Sequence, residues 1–205
     1  MSGSALIFDC EFLTATGAPQ RLWCGPHYPD NVAAQIEALK LALTPEAGIL
    51  EVWEQVILPP ERSGETSAIH PFFVSLTGLD EGRIARDGVP LEDALRGFDR
   101  FADGASFWSW GNDEFNLLAI SCYVAGIVPP IPVTRIGNAT RLFAAAVFDK
   151  ETIHGLRSPG LPAFLGLETE GLQAHDALGD AMAVALSIQH LIRDGLLEPA
   201  FLEQP

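Results

Sequence analysis

Two acidic residues, Asp9 and Glu11, lie in the apolar stretch ALIFDCEFLT, whose aromatic and β-branched residues predict a buried strand. Residues two positions apart in a strand project from the same face, so these two carboxylates point together while Cys10 points away. Converging carboxylates are half of a site for a hard cation such as Mg²⁺ or Mn²⁺, the ions used in two-metal phosphoryl transfer. The alternative is an edge strand whose acidic side chains face water.

A second polar group follows the apolar strand SFWSW. Gly111 is followed by Asn112, Asp113 and Glu114, and a helical pattern begins directly afterwards. Places where a strand leads into a helix often carry functional side chains in α/β proteins. The alternative is purely local, because Asn and Asp are common helix caps and acidic residues in the first turn favour the helix dipole.

A third group, HDALGDA, contains His175, Asp176 and Asp180 at the start of the last long helical pattern. In a regular helix His175 and Asp180 would lie about 140° apart and would not share a face. They converge only if His175 lies in the loop that leads into the helix. In the alternative interpretation, Asp176 caps the helix and His175 is a surface residue.

The elements that would position these residues alternate between strands and helices, which predicts an α/β fold with a central five-stranded mixed sheet flanked by helices. The strands are predicted at residues 5–12, 32–43, 49–58, SFWSW and IPVTRI, with a hairpin turn at TPEAG. Helices are predicted in SAIHPFFVSLTGL, PLEDALRGFDRFADG, EFNLLAISCYVAG and DALGDAMAVALSIQHLIRDG. The first, third and fourth are predicted to end at Gly78, Gly126 and Gly195.

Length and composition limit the function classes. The 205 residues, 48% of them hydrophobic, are interpreted as one domain over residues 1–205. The absence of a long apolar run or a signal-peptide pattern predicts a cytoplasmic protein with no membrane contact. Three widely spaced cysteines indicate neither a disulfide framework nor a thiolate zinc site. The net charge of −15 argues against tight binding of long duplexes and favours a short substrate or only the end of a strand.

Taken together, the three groups resemble the motifs of the DEDDh 3′–5′ exonucleases, which have the ribonuclease H-like fold. Asp9 and Glu11 match the D-x-E of the first motif, and His175 and Asp180 match the H-x-x-x-x-D of the third. The segments LTGL and QIEALKL are similar to further parts of that family, so the resemblance covers nearly the whole chain.

One position departs from the family pattern. In the branch that carries S-W-G, an aspartate is expected where this chain has Glu114, with Asp113 just before it. Leu118 and Cys122 keep the helical register expected for Glu114, which is therefore the favoured ligand, with Asp113 as the alternative.

The resemblance implies that Asp9, Glu11, Glu114 and Asp180 hold two divalent metal ions, Mg²⁺ or Mn²⁺, and that His175 is the general base. It implies removal of nucleoside 5′-monophosphates from the 3′ end of single-stranded DNA or RNA, or of short oligonucleotides. Phe12, Leu13 and Leu79 are candidate contacts to the terminal base, and ordinary core positions are the alternative for each.

Two other functions remain open at the level of sequence. One is a pseudo-exonuclease that binds nucleic acid without turnover because of the change at Glu114. The other is a hydrolase of small phosphodiesters or dinucleotides, which the acidic charge favours. The sequence leaves open the preference for DNA or RNA and the oligomeric state, including a homodimer.

Overall fold

A computed structural model describes residues 3–18, 20, 29–146, 148–168 and 177–205 of the chain. The strands are β1 (Ser4–Phe12), β2 (Ala33–Ala42), β3 (Ile49–Leu58), β4 (Val89–Pro90), β5 (Phe107–Ser109) and β6 (Ile136–Asn138). The helices are α1 (Pro71–Thr77), α2 (Glu81–Asp87), α3 (Leu91–Ala102), α4 (Asp113–Ala125), α5 (Thr140–Ala145), α6 (Lys150–Gly155), α7 (Leu161–Phe164) and α8 (Ala177–Arg193).

The strands form one mixed sheet of six strands in the order β4-β3-β2-β1-β5-β6. β1, β2 and β3 are antiparallel neighbours, whereas β5 is parallel to β1, and β6 is parallel to β5. The long strand with the two acidic residues therefore lies inside the sheet, between β2 and β5. This placement excludes the interpretation of β1 as an edge strand.

The predicted count of five strands is wrong by one. The additional strand, β4, has only two residues and pairs in parallel with Ile57 and Leu58 of β3. Two residues carry no alternation that a sequence pattern could reveal, and Pro90 is typical of an edge position because it lacks a backbone donor. The predicted strand IPVTRI is also corrected, since Val133–Arg135 form a 3-10 turn and β6 starts at Ile136.

The four predicted helices correspond to α1, α3, α4 and α8, and α1 is closed by Gly78 in the left-handed conformation. The sequence interpretation missed α2, α5, α6 and α7, which have seven residues or fewer. Helices this short contain less than two turns of the apolar period, so the periodicity alone does not predict them. α1 also has only seven residues, and it was predicted with its closing Gly78. Within the described ranges, no helix is long and apolar enough to cross a membrane.

The two faces of the sheet pack against different helices. Ile7 and Leu39 point to the face covered by α5, α6, α7 and α8, where they share a core with Phe143 and Ile188. Leu6, Phe8 and Cys10 point to the other face, which is covered by α3 and α4. Because Asp9 has the same parity as Ile7, its side chain projects toward the α8 side of the sheet.

Candidate active site

Asp9 and Glu11 lie at the carboxyl end of β1, and both are half-buried. In the ladder with β2, Asp9 is opposite Glu37 and Glu11 is opposite Gln35, and the pairing then shifts between Glu11 and Phe12. β1 pairs with β5 through Leu6 and Ile7, so Asp9 lies level with the segment that follows β5. The carboxyl ends of parallel strands are where α/β proteins place their ligands.

The segment after β5 turns sharply into α4. Gly111 has a φ of 95°, a conformation that other residues rarely adopt, and its N–H donates to Oδ1 of Asn138 at 3.1 Å. α4 begins two residues later, and its buried positions include Glu114, Leu118 and Cys122 at intervals of four residues. The first turn of α4 therefore directs Glu114 inward, toward the end of β1.

The two candidate ligands of the second motif have different environments. Glu114 is only 8% exposed, whereas Asp113 is exposed on the outer side of the first turn of α4. Glu114 also lies near Asp9, because the two carboxyl groups affect each other's pKa. This geometry favours Glu114 over Asp113 as the group available to a ligand at Asp9.

Asp180 lies in the first turn of α8 and is 8% exposed. α8 packs on β1 and β2, which brings its first turn close to the carboxyl end of β1. His175 and Asp176 lie outside the described residues, so the role of His175 as the base stays a prediction.

The electrostatics of Asp9 show that the acidic groups meet. Burial raises the pKa of Asp9 well above its ordinary value, and the carboxylates of Glu114, Asp180, Glu11 and Glu37 raise it further, in that order. Residues from β1, β2, α4 and α8 thus place their charges around a single carboxyl group. Such mutual repulsion is characteristic of sites that bind cations.

The pKa of Glu114 is also raised. Burial raises its pKa to about 7, and a hydrogen bond from its own backbone N–H and the nearby hydroxyl of Ser109 oppose the rise. One of its oxygens, Oε2, is buried and has no hydrogen-bond partner among the described residues. A buried oxygen without a donor is costly, and a cation would compensate for it.

The donors are all carboxylate oxygens, which suit Mg²⁺ or Mn²⁺, and the Glu114 oxygen is available to such an ion. The arrangement is not a closed cage, since the described part of the chain contains no group of three or more His, Cys, Asp or Glu side chains placed around one point. The oxygen donors of these residues are therefore of the type that a hard divalent ion prefers. These side chains alone do not form its complete coordination shell.

Glu37 was missed by the sequence interpretation. It is 3% exposed, and Nε2 of Gln35 donates both to its Oε1 at 2.7 Å and to Oε1 of Glu54 at 3.1 Å. Glu54 in turn forms an ion pair with Arg83. Sequence alternation contained the signal, because Glu37 occupies an inward position between Gln35 and Leu39 in QIEALKL.

The candidate base-binding residues differ in accessibility. Phe12 is half-buried and packs against the core on the α3 side. Leu13 and Leu79 are 0% exposed and share a cluster with Phe73, so neither presents surface to a ligand in this structure. Of the three, only Phe12 has exposed side-chain surface.

Solved structures with this fold include several nucleases. A full-length 3′-exonuclease aligns with a TM-score of 0.74 and 16% identity, covering 96% of this chain and 84% of its own. A 3′-exonuclease in a structure of 3′-end-specific recognition of a histone mRNA stem-loop gives 0.74 and 15%, covering 98% and 84%. E. coli exonuclease I in complex with a dT13 oligonucleotide gives 0.62 and 14%, covering 93% of this chain, which spans 41% of that larger protein.

The sequence alone finds no such match. No protein-family model matches the chain. No curated protein matches it either. At this level of identity the structural likeness concerns the fold, and it confirms the resemblance on which the motif assignment was based: the chain has the ribonuclease H-like fold of the DEDDh-type 3′-exonucleases.

Proposed function

We propose that this protein is a metal-dependent 3′–5′ exonuclease that hydrolyses phosphodiester bonds at the 3′ end of single-stranded DNA or RNA, or of short oligonucleotides. The observation that carries the proposal is the meeting of Asp9, Glu114 and Asp180. These residues come from β1, α4 and α8, and the charges of Glu114 and Asp180 both act on Asp9 at the carboxyl end of β1. The fold shared with 3′-exonucleases supports the same function.

In this proposal Asp9, Glu11, Glu114 and Asp180 hold two divalent ions, Mg²⁺ or Mn²⁺. When bound, such ions supply Lewis-acid stabilisation of the phosphoryl oxygens and lower the pKa of a water molecule. Glu114 contributes its unpartnered Oε2, and its position in the first turn of α4 keeps that oxygen beside Asp9.

The remaining candidate residues accept the proton of the attacking water and contact the terminal nucleobase. His175 accepts the proton of the attacking water, a role suited to an imidazole with an ordinary pKa near neutrality. Phe12 offers an aromatic surface to the terminal base, whereas Leu13 and Leu79, the other two candidate contacts, are buried in a separate cluster. The products are nucleoside 5′-monophosphates.

A second candidate, hydrolysis of dinucleotides or other small phosphodiesters, is favoured by the net charge of −15. An acidic protein repels a long polyanion more strongly than a short one, because repulsion grows with the number of phosphates within the screening length. Competition between a dinucleotide and a decamer for the same enzyme distinguishes the two substrate classes.

The test is a gel time course on 5′-labelled single-stranded DNA and RNA oligomers with Mg²⁺, Mn²⁺ or EDTA. A metal-dependent ladder that shortens from the 3′ end, and that is absent with Asp9→Asn, is the expected result. Cleavage in EDTA, or cleavage by the variant at the wild-type rate, would contradict the proposed site. Metal binding in calorimetry without any cleavage would instead indicate the pseudo-exonuclease.

A further inference from the structure

The cations of this acidic protein are unevenly distributed. Most of the described Lys and Arg side chains are neutralised by a carboxylate; these are Lys40, Arg62, Arg83, Arg86, Arg96 and Arg135. Five described cations form no ion pair with a described carboxylate. Arg100 and Arg193 lie on α3 and α8, and Arg193 donates to the carbonyl oxygen of Glu46. The other three, Arg141, Lys150 and Arg157, lie together in one stretch, residues 140–157, that contains α5 and α6.

The α5–α6 surface, defined as Arg141, Lys150, His154 and Arg157, is exposed at each of these residues. The same stretch contains two carboxylates. Asp149 is engaged locally, since its Oδ1 accepts from the N–H of Thr152 at 2.8 Å and its Oδ2 from the Thr152 hydroxyl at 2.7 Å. Glu151 is exposed. The stretch is therefore locally cationic, in contrast to the chain as a whole.

The α5 end of this surface is linked by hydrogen bonds to the turn that precedes α4. Oδ1 of Asn138 accepts from the N–H of Thr140 at 2.9 Å and from the N–H of Gly111 at 3.1 Å. One side chain thus ties the start of α5 to the turn that leads into Glu114. Arg141 is the next residue after Thr140, so its position is fixed relative to that turn.

The α6 end is held in a similar way. Nε1 of Trp110 donates to the carbonyl oxygen of Leu156 at 3.4 Å, and the Trp110 ring meets Phe143 edge-to-face with centroids 5.0 Å apart. Arg157 follows Leu156 directly. Arg157 is therefore one residue away from a contact with the segment between β5 and α4, and Arg141 is two residues away from Phe143, which contacts Trp110 of that segment.

The surface also lies on the same side of the sheet as the acidic groups. Phe143 of α5 and Ile153 of α6 share a core with Ile7 of β1, which has the same parity as Asp9 and Glu11. A nucleic-acid strand whose 3′ end reaches Asp9 meets carboxylates whose charge the bound metal ions compensate. Protein cations further along its phosphates would therefore add to its affinity.

We infer that the α5–α6 surface binds the phosphates of the nucleotides on the 5′ side of the scissile bond, and that it thereby gives the enzyme a preference for single strands over dinucleotides. The inference rests on the proposed function, because that function places the 3′ end at Asp9. A dinucleotide has a single phosphodiester, and that group occupies the active site. The dinucleotide therefore gains no affinity from the α5–α6 surface. A decamer presents several further phosphates to Arg141 and Arg157.

The test compares two double variants that each remove two positive charges. Arg141→Gln/Arg157→Gln removes the arginines of the proposed surface. Arg96→Gln/Arg100→Gln is the matched control on α3, which packs on the opposite face of the sheet. All four side chains are exposed, so both variants are expected to keep the wild-type unfolding temperature within about 2 °C.

Binding of fluorescein-labelled dT10 in EDTA is measured by anisotropy between 50 and 200 mM salt, and kcat/KM is measured on dT10 and on the dinucleotide. For Arg141→Gln/Arg157→Gln we expect about tenfold weaker binding of dT10 and a log–log salt slope smaller by about 1.4, which is two single-strand phosphate contacts. The kcat/KM for the dinucleotide stays within twofold. The control retains the wild-type slope and binding.

An unchanged salt slope in Arg141→Gln/Arg157→Gln, or an equal loss in the control, overturns the inference. Failure of the proposed function has a different signature, since wild type would then cleave neither substrate in Mg²⁺ or Mn²⁺. In that case the EDTA binding series still reports whether the surface holds phosphates. The charge reversal Arg141→Glu/Arg157→Glu provides a second check, because it should weaken dT10 binding further than the glutamine variant does.

Discussion

Asp9 on β1 and Glu37 on β2 are directly opposite each other in the antiparallel ladder, and Glu37 is 3% exposed. Directly opposed side chains in such a ladder lie about 5 Å apart at Cβ, and like charges in that arrangement are destabilising. The pKa of Asp9 is raised first by burial, then by Glu114, Asp180 and Glu11, and to the smallest extent by Glu37. The protein therefore concentrates negative charge at one point of a buried strand, as expected of a site built for a cation.

Replacing Asp9 with asparagine should separate catalysis from stability. Asp9→Asn removes the charge at the centre of the acidic group, so we expect hydrolysis to fall below detection while the metal-free protein becomes more stable by about 1–2 kcal/mol at pH 8. Denaturant unfolding in EDTA measures the second effect. A variant that is less stable than wild type would show that Asp9 is structural, and retained hydrolysis would exclude it from the site.

The ligand of the second motif is tested by a matched pair of variants. Glu114→Gln removes a buried charge beside Asp9, whereas Asp113→Asn removes an exposed one from the same helical turn. We expect Glu114→Gln to weaken Mn²⁺ binding at least tenfold in calorimetry and Asp113→Asn to change it less than twofold. The reverse order would make Asp113 the ligand and would require a rotated first turn of α4.

The stability of the metal-free protein should decrease with rising pH. The ordinary pKa of Glu114 is 4.5 and burial raises it to about 7, so the folded state holds a proton that the unfolded state releases. The stabilisation by that proton is fully present below about pH 4.5 and is lost as pH rises to about 7 and above, with Asp9 acting in the same direction.

Unfolding by urea in EDTA at pH 5 and pH 8 measures this difference. Glu114 alone would account for up to about 3 kcal/mol. Glu114→Gln should lose that part of the difference, and saturating Mn²⁺ should reverse the sign of the effect for wild type because metal binding needs the ionised form. A difference of the same size in wild type and Glu114→Gln would show that other groups control the pH dependence.

Gln35 is expected to hold Glu37 in place. Its Nε2 is the donor to Glu37 at 2.7 Å, so Gln35→Leu leaves a buried carboxylate without that hydrogen bond and should cost about 1–3 kcal/mol of unfolding free energy. Gln55→Leu is the control, because Nε2 of Gln55 donates to the carbonyl oxygen of Val56, its own neighbour, and to no carboxylate among the described residues. Equal losses in the two variants would remove the special role of Gln35.

His175 should affect turnover rather than metal affinity. His175 is the proposed acceptor of the proton from water. We therefore expect His175→Ala to lower kcat about 100- to 1000-fold, while the Mn²⁺ affinity measured by calorimetry changes less than threefold. Loss of metal binding together with activity would identify His175 as a ligand instead.

Local patterns were sufficient for much of the fold. The strand β1, with Asp9 and Glu11 on one face, was predicted because alternation is a property of neighbouring residues. The helices α3, α4 and α8 were predicted because each contains at least three turns of apolar period or a clear glycine end. The two-residue strand β4 and the four short helices were missed because so few residues carry no period.

By itself the sequence determined which acidic residues were candidates and that Asp9 and Glu11 share a face, since both conclusions depend only on residue type and spacing. Only the tertiary structure decided that Glu114 rather than Asp113 lies beside Asp9, because the inward side of a first turn depends on how α4 docks against the sheet. It also placed Glu37 opposite Asp9, a register that is set by pairing between residues 28 positions apart in the chain.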